Sequence, residues 1–277
     1  MNNLIVQGAD VATQNLKQLA KLASASAIEQ VRNGCFRLRG ASAHPEIAAL
    51  CQEAGLDFAL VPAGRRLADM GLVVMDMDST LIAIECIDEI ADMQGIKPQV
   101  AAITAAAMRG EIDFPESLRR RVALLAGLPE SALARVYDER LVLSPGAESL
   151  LAATRRAGIK SLLVSGGFRF FSERLKQRLG LDYTCANEFE IRDGRLTGQV
   201  LGHIVGAQEK PRELVRLRQE LGLSREHVIA IGDGANDLPM LREAGVSIAY
   251  HAKPVVKAEA DYAIDHGGLD AVVNLFE

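Results

Sequence analysis

Three short apolar runs in this 277-residue chain break off abruptly into polar clusters. LVVM leads into Asp76-Met77-Asp78-Ser79-Thr80, SLLV into Ser165-Gly166-Gly167, and VIAIG into Asp233-Gly234-Ala235-Asn236-Asp237. Uninterrupted apolar runs of this length suit strands covered on both faces. Further runs at Val246 to Ala249 and Tyr262 to Ile264 alternate with helical patterns, which predicts an α/β fold around a doubly wound parallel sheet. In such sheets ligands bind outside the carboxyl ends of the strands, so the three clusters are expected to meet in one crevice.

The clusters are chemically of one kind. Asp76 and Asp78 stand one residue apart at a strand end, and Asp233 adds a third carboxylate. Three carboxylates in a small site need a counter-charge, and an all-oxygen ligand set suits Mg²⁺. Taken singly, each part has a plainer reading: a DxD sequence caps a helix or closes a loop, Ser-Gly-Gly is a turn, and Lys210 is a solvated surface lysine. The conjunction of three strand ends is what the plain readings leave unexplained.

The rest of the chain supplies context. At ~150 residues per domain, two compact units are expected. Residues 1–66 read as strand (Asn3 to Gln7), helix (Val11 to Leu22), strand (Ala27 to Val31), strand (Cys35 to Gly40), helix (Pro45 to Ala54) and strand (Asp57 to Pro62). This βαββαβ order is the ferredoxin-like arrangement, with Ala63 to Arg66 as linker. Arg32-Asn33-Gly34 separates the two middle strands, and Asn-Gly marks a hairpin because both residues tolerate positive φ. Residues 67–277 form the second unit. About 87–143 carry helical periodicity without a strand-like run and are read as a helical insertion, and Asp193-Gly194 predicts an antiparallel hairpin between Tyr183 and His203.

Composition excludes several function classes. The formal charge is −5 and aromatic residues make up 4% of the chain, with no Trp, so neither phosphate backbones nor stacked bases find a platform. Nucleic acid and membrane are not expected partners. No run of 18 apolar residues and no basic-then-apolar start occurs, which gives a cytoplasmic expectation. Cys35, Cys51, Cys86 and Cys185 are widely spaced and are read as reduced thiols. Neither GxGxxG after the first strand nor GxxxxGK[ST] is present, which argues against nicotinamide binding and P-loop phosphoryl transfer.

The segments Asp76 to Leu81, Ser165 to Phe168, Lys210, and Gly232 to Asp237 resemble the four motifs of the haloacid dehalogenase (HAD) superfamily, over roughly three quarters of the chain. With Glu85 they resemble, within it, the members that hydrolyse O-phospho-L-serine to L-serine and phosphate in serine biosynthesis. The resemblance implies a Mg²⁺-dependent phosphoric monoester hydrolase in which Asp76 is the nucleophile that forms an aspartyl-phosphate and Asp78 the general acid and base. It implies metal ligation by Asp76, the main-chain carbonyl of Asp78, and Asp233, with Asp237 in support. Ser165, Gly166, Lys210 and Asn236 would bind the phosphoryl group. Glu85 would meet the substrate ammonium and Arg121 its carboxylate, while Met108 and Phe114 would cover the site from a helical cap. Met77 departs from the family's usual Phe, and strand alternation predicts that it points away from the site.

Two alternatives remain open at this stage: a HAD phosphatase for another small phosphomonoester, and an amino-acid-sensing regulatory protein, since the N-terminal order is similar to ACT-type modules. A small-molecule substrate is expected as partner, and a homodimer is one assembly such a module allows.

Overall fold

A computed structural model describes residues 1–277. The N-terminal part runs β1 (Asn2–Gln7), α1 (Thr13–Leu22), β2 (Ala27–Arg32), β3 (Cys35–Ala41), α2 (Glu46–Glu53) and β4 (Asp57–Pro62), and its four strands form an antiparallel sheet in the order β2-β3-β1-β4. This is the split βαβ arrangement expected from the element order.

Period-two alternation sorts the side chains of that sheet. Leu4 and Val6 face α1 and α2 in a cluster with Leu16, Leu19, Leu38, Ile47 and Cys51. Ile5, Cys35, Ala59 and Val61 face the other way, into the large core of the rest of the chain. Strands β1, β3 and β4 are therefore covered on both faces, and the expected linker at Ala63 to Arg66 connects units that share one core.

The hairpin between β2 and β3 forms at Asn33-Gly34. Gly34 has φ +70°, but Asn33 is not left-handed, and the register shifts between Gln30 and Arg32. Arg32 pairs with Cys35 across the two-residue turn, in which only Gly34 is left-handed, and the bulge falls just before it in β2. At Asp193-Gly194 both residues take positive φ, +50° and +71°.

The second sheet has seven strands, β5 (Leu72–Met75), β6 (Lys160–Phe168), β7 (Tyr183–Arg192), β8 (Arg195–Leu201), β9 (Val228–Gly232), β10 (Val246–Tyr250) and β11 (Tyr262–Ile264), in the order β11-β10-β9-β5-β6-β7-β8. All pairings are parallel except β7 with β8. Val73, Met75, Leu163, Ile229, Ile231 and Ile248 enter one core, while Leu72, Val74, Leu162, Val228 and Ala230 enter another beneath the opposite face. Burial on both sides is why these strands read as unbroken apolar runs. One difference stands out: β6 does not stop at Val164 but runs on through Ser165-Gly166-Gly167 to Phe168, with a register shift against β7 that lets Phe168 pair with Asn187.

Between β5 and β6 lie α3 (Cys86–Met93), α4 (Lys97–Met108), α5 (Phe114–Ala123), α6 (Ser131–Glu139) and α7 (Ala147–Arg156). The first four make the helical insertion, closed at its stem by a bridge between Ile82 and Leu143. Helices α8 (Arg169–Leu179) and α9 (Glu209–Glu220) flank the sheet. No helix is long and apolar enough to cross a membrane, and all four cysteines are free.

A Cβ on Gly34 would stand 2.3 Å from the carbonyl oxygen of Gly8, whereas one on Gly194 meets nothing within 4 Å. Gly194→Ala is expected to cost only the left-handed backbone penalty, about 1 kcal/mol, and Gly34→Ala roughly 2 kcal/mol more, measured as the shift in urea unfolding.

Candidate active site

The loop after β5 owes its shape to main-chain bonding. The Asp76 amide donates to Ile231 O (3.1 Å), carrying the parallel pairing one residue past the strand, and Ser79, with φ +55°, turns the chain. The amides of Leu81 and Ile82 donate back to the carbonyls of Asp76 and Met77. Asp76 and Asp78 are thus held at the carboxyl end of the central strand, beside the ends of β6 and β9.

At the floor lies a buried ion cluster. The ammonium of Lys210, 1% exposed, contacts Asp76 Oδ2 and Asp237 Oδ1, each at 2.6 Å. The amides of Asp233 and Gly234 donate to Asp237 Oδ2 (3.2 and 3.0 Å), so both oxygens of Asp237 are engaged. Asp76 Oδ1 accepts from the Met77 amide (2.7 Å), Asp78 Oδ1 from the Cys86 amide (3.0 Å), and Asp233 Oδ1 from the Thr80 hydroxyl (2.8 Å). One carboxylate oxygen each of Asp76, Asp233 and Asp237 lie within 4.8 Å of one another. Because Asp237 is saturated, Asp76 and Asp233 are the members with lone pairs left for a cation.

The electrostatics follow from burial. Desolvation pushes the Asp76 carboxyl well above the usual carboxylate range, helped by the Asp237 charge and opposed by Lys210. Desolvation also raises Asp78 and Asp233, against the Cys86 and Thr80 hydrogen bonds respectively. Burial alone would pull Lys210 down, but Asp237 and Asp76 outweigh it and the ammonium is held firmly charged. Four carboxyl groups against one lysine leave an excess of negative charge that a divalent cation would neutralise, and oxygen-only donors suit such an ion.

Above this floor opens a cleft of about 560 Å³. Asp76, Asp78, Glu85, Met108, Phe114, Arg121, Ser165, Gly166, Asp233 and Asn236 all line it. Lys210 and Asp237 do not; they lie behind its floor. Ser165 Oγ accepts from the Gly167 amide (2.8 Å), and a Cβ on Gly167 would stand 2.5 Å from Asp78 Oδ2 and 2.8 Å from Met77 Cε. Only glycine lets β6 approach Asp78 this closely. Met77 itself is fully buried in the core, as alternation requires, though its Cε reaches under Gly167.

The helical insertion forms the roof. The Phe114 ring lies over Gly166 and Gly206, and Met108 is 73% exposed at the mouth. Of the three consecutive arginines, Arg119 and Arg120 are exposed and Arg120 pairs with Glu116 at 2.7 Å, whereas Arg121 is half-buried and lines the cleft. Desolvation lowers the Arg121 guanidinium, opposed by the charges of Asp88, Glu85 and Asp78. Glu85 accepts from the Ser79 hydroxyl (2.8 Å) at the cleft rim. Its side chain touches cleft solvent, yet the surrounding protein and the Asp78 charge push its carboxyl up to about 7.

Some site residues were not legible beforehand. Asn187 is buried and donates from Nδ2 to Gly166 O (2.8 Å) and Val205 O (3.1 Å), while its Oδ1 accepts from the Val205 amide. It thereby fixes the Ser-Gly-Gly segment, but an asparagine inside a strand carries no sequence signal of that role. Asp88, Thr104 and Ser117 also line the cleft, as does Lys253, whose amide donates to Asp233 O (3.1 Å).

Residues 73–242 match the family model of haloacid dehalogenase-like hydrolases, and the chain belongs to that family. Residues 4–47 match a domain of unknown function. Among particular relatives, a phosphoserine phosphatase of Albidiferax ferrireducens is 53% identical over 217 residues, 76% of this chain and 92% of the relative. A phosphoserine phosphatase of Haemophilus influenzae is 47% identical over 79% of this chain and 70% of its own length. Among solved structures, an unliganded probable phosphoserine phosphatase from Vibrio cholerae superposes with a TM-score of 0.88 at 39% identity, covering 99% of this chain and 85% of that one. A phospho-aspartyl intermediate analogue of phosphoserine phosphatase gives 0.70 at 38% identity over 75% of this chain and 99% of that one.

Removing the cation from the floor should leave two buried carboxylates unpaired. In the presence of chelator, Lys210→Met is expected to destabilise the fold by about 3 kcal/mol or more in urea unfolding, and adding Asp237→Asn to recover part of that loss.

Proposed function

We propose that the chain hydrolyses O-phospho-L-serine to L-serine and phosphate through an aspartyl-phosphate on Asp76, with Mg²⁺ as cofactor, as the closing step of serine biosynthesis. One juxtaposition carries this reading: a single cleft has the Asp76, Asp78 and Asp233 carboxylates at its floor and the Glu85 carboxylate and Arg121 guanidinium farther out. The floor suits a phosphoryl group, and the outer pair suits the ammonium and carboxylate of an amino acid. The relatives' shared activity supports the same substrate.

In this reading Asp76 attacks phosphorus as the bond to the seryl oxygen breaks, and Asp78 protonates that leaving oxygen. A raised pKa, as burial gives Asp78, suits a group that must hold a proton to donate it. Asp78 then takes a proton from the water that attacks the aspartyl-phosphate, freeing phosphate and restoring the Asp76 carboxylate. Ser165 Oγ, the Gly166 amide and Asn236 Nδ2 are donors for the phosphoryl oxygens, and Lys210 favours the ionised form of Asp76 against burial and orients it from behind. Asp76, the Asp78 carbonyl and Asp233 would hold Mg²⁺, with Asp237 in support. When bound, the ion offsets the repulsion between an anionic nucleophile and the phosphate, about 4 kcal/mol for each pair of unit charges ~4 Å apart at an effective dielectric near 20. Phe114 and Met108 close the cleft over the substrate.

We assign residues 1–66 to an ACT-like module and 67–277 to the phosphatase unit with its cap at about 87–143, acting in the cytoplasm. Strand β2, exposed along its whole length, leaves an edge to which a second copy can add in a homodimer.

Phosphate release from L-phosphoserine is expected with Mg²⁺ and to vanish with chelator, and Asp76→Asn is expected to lower kcat by about a thousandfold or more with metal present. Substantial turnover in either case contradicts the mechanism. Arg121→Lys is expected to raise KM for phosphoserine about tenfold while changing little for a phosphate ester without a carboxylate; an equal effect on both substrates removes Arg121 from carboxylate recognition.

A further inference from the structure

The mechanism leaves one buried carboxylate unused, and it belongs to the N-terminal module. Asp57, the first residue of β4, is 4% exposed and forms no ion pair within 4 Å. Its oxygens accept four hydrogen bonds from three successive amides of the other unit, Asp265 (2.7 Å), His266 (3.1 and 3.3 Å) and Gly267 (2.7 Å). A carboxylate in a nest of consecutive amides fixes the backbone that supplies them.

That loop leads back to the active site. Gly267 O contacts His251 Nε2 at 2.9 Å, and the His251 amide donates to Ile264 O at 2.8 Å. His251 sits at φ +44°, a conformation that a non-glycine residue holds only when its surroundings impose it. Two residues on, the Lys253 amide donates to Asp233 O, and Lys253 lines the cleft. The path from module to site is continuous in hydrogen bonds and one short backbone segment.

We infer that Asp57 is a positioning residue for the active site: through the 265–267 loop and His251 it holds the segment 251–253 that bonds the backbone of Asp233. The inference rests on the proposed role of Asp233 as a cation ligand. A conventional interface contact would stabilise the fold without reaching that far. Outer-sphere supports of a metal ligand tune affinity for the ion, so the effect should be read there as well as in turnover.

The test uses the full chain with Asp57→Asn, His251→Asn, the double variant, and Arg39→Ala. Arg39 also joins the two units, through Glu277 at 2.5 Å, but lies off the path. Hydrogen exchange at the Lys253 amide, calorimetric binding of Mg²⁺ without substrate, and kcat and KM for phosphoserine are measured on each. Asp57→Asn and His251→Asn are each expected to speed exchange at Lys253 and weaken Mg²⁺ binding by about tenfold. The double variant should be no worse than Asp57→Asn alone, and Arg39→Ala should match wild type in exchange and ion binding. Wild-type exchange at Lys253 in Asp57→Asn, whatever its unfolding midpoint, overturns the inference. Should that variant not fold, wild-type exchange in His251→Asn, altered at an exposed position, overturns it equally. Failure of the wild-type chain to bind Mg²⁺ or cleave phosphoserine would refute the functional reading instead, and the exchange readout, which needs neither, would still decide the role of Asp57.

Discussion

The arrangement of the cleft floor depends on one buried ammonium. Lys210 reaches from the first turn of α9 to the ends of two neighbouring strands, meeting Asp76 beyond β5 and Asp237 beyond β9. Stripping three charges of water costs several kcal/mol per ion, and the penalty is returned only if each finds good partners. Here they do: Asp237 has two amides besides the lysine, and Asp76 has the Met77 amide. The triad still carries one negative charge too many, and Asp78 and Asp233 add to it. The same contacts that fix the geometry therefore leave the site short of positive charge, which adds to the desolvation that raises the Asp76, Asp78 and Asp233 carboxyls and leaves lone pairs open on Asp76 and Asp233.

How much of this was visible in the residues differs by element. The strands β5 and β9 were readable because burial on two faces makes them uniformly apolar, and the polar residues just beyond them have no reason to be there except the cleft. The extension of β6 through Gly166 and Gly167 was hidden, since glycines read as a turn; its cause is the register shift against β7 and the Asn187 amide, both long-range. Lys210 was ordinary by residue type, because exposure is the rule for lysine and only its partners, far along the chain, reverse it. At Asn33-Gly34 the local signal marks the hairpin, while the bulge between Gln30 and Arg32 is a property of the strand pair that no local residue announces.

Arg121 illustrates a signal present in the sequence yet weaker than it need have been. Arg121 and Val122 lie three and four residues after Leu118, so the three share one helix face, and the other two are buried. Helical phase alone separates Arg121 from Arg119 and Arg120. What phase cannot tell is that this face meets the cleft. That depends on the β7–β8 hairpin, where Leu196 exchanges backbone hydrogen bonds with Gly127 and Leu128, placing the end of α5 against a fixed platform. The cap is therefore anchored at its far end by the sheet's one antiparallel strand.

The N-terminal module raises the question of whether it moves independently. Units within a chain do so by default unless their interface is large and apolar. Here Ile5, Ala59 and Val61 from the module share a core with Leu269, Val272 and Leu275. Arg37, 4% exposed, donates from one guanidinium nitrogen to Asn274 O and Phe276 O, and Asn274 in turn bonds Gln7 at 2.5 Å. Separating the units would expose that apolar surface and strand dehydrated polar groups at once. The C-terminal segment, which belongs to the catalytic sheet through β11, is thereby part of the module's floor. A core shared in this way is not the small polar interface of independently moving domains, so the module is held on the catalytic sheet rather than hinged to it.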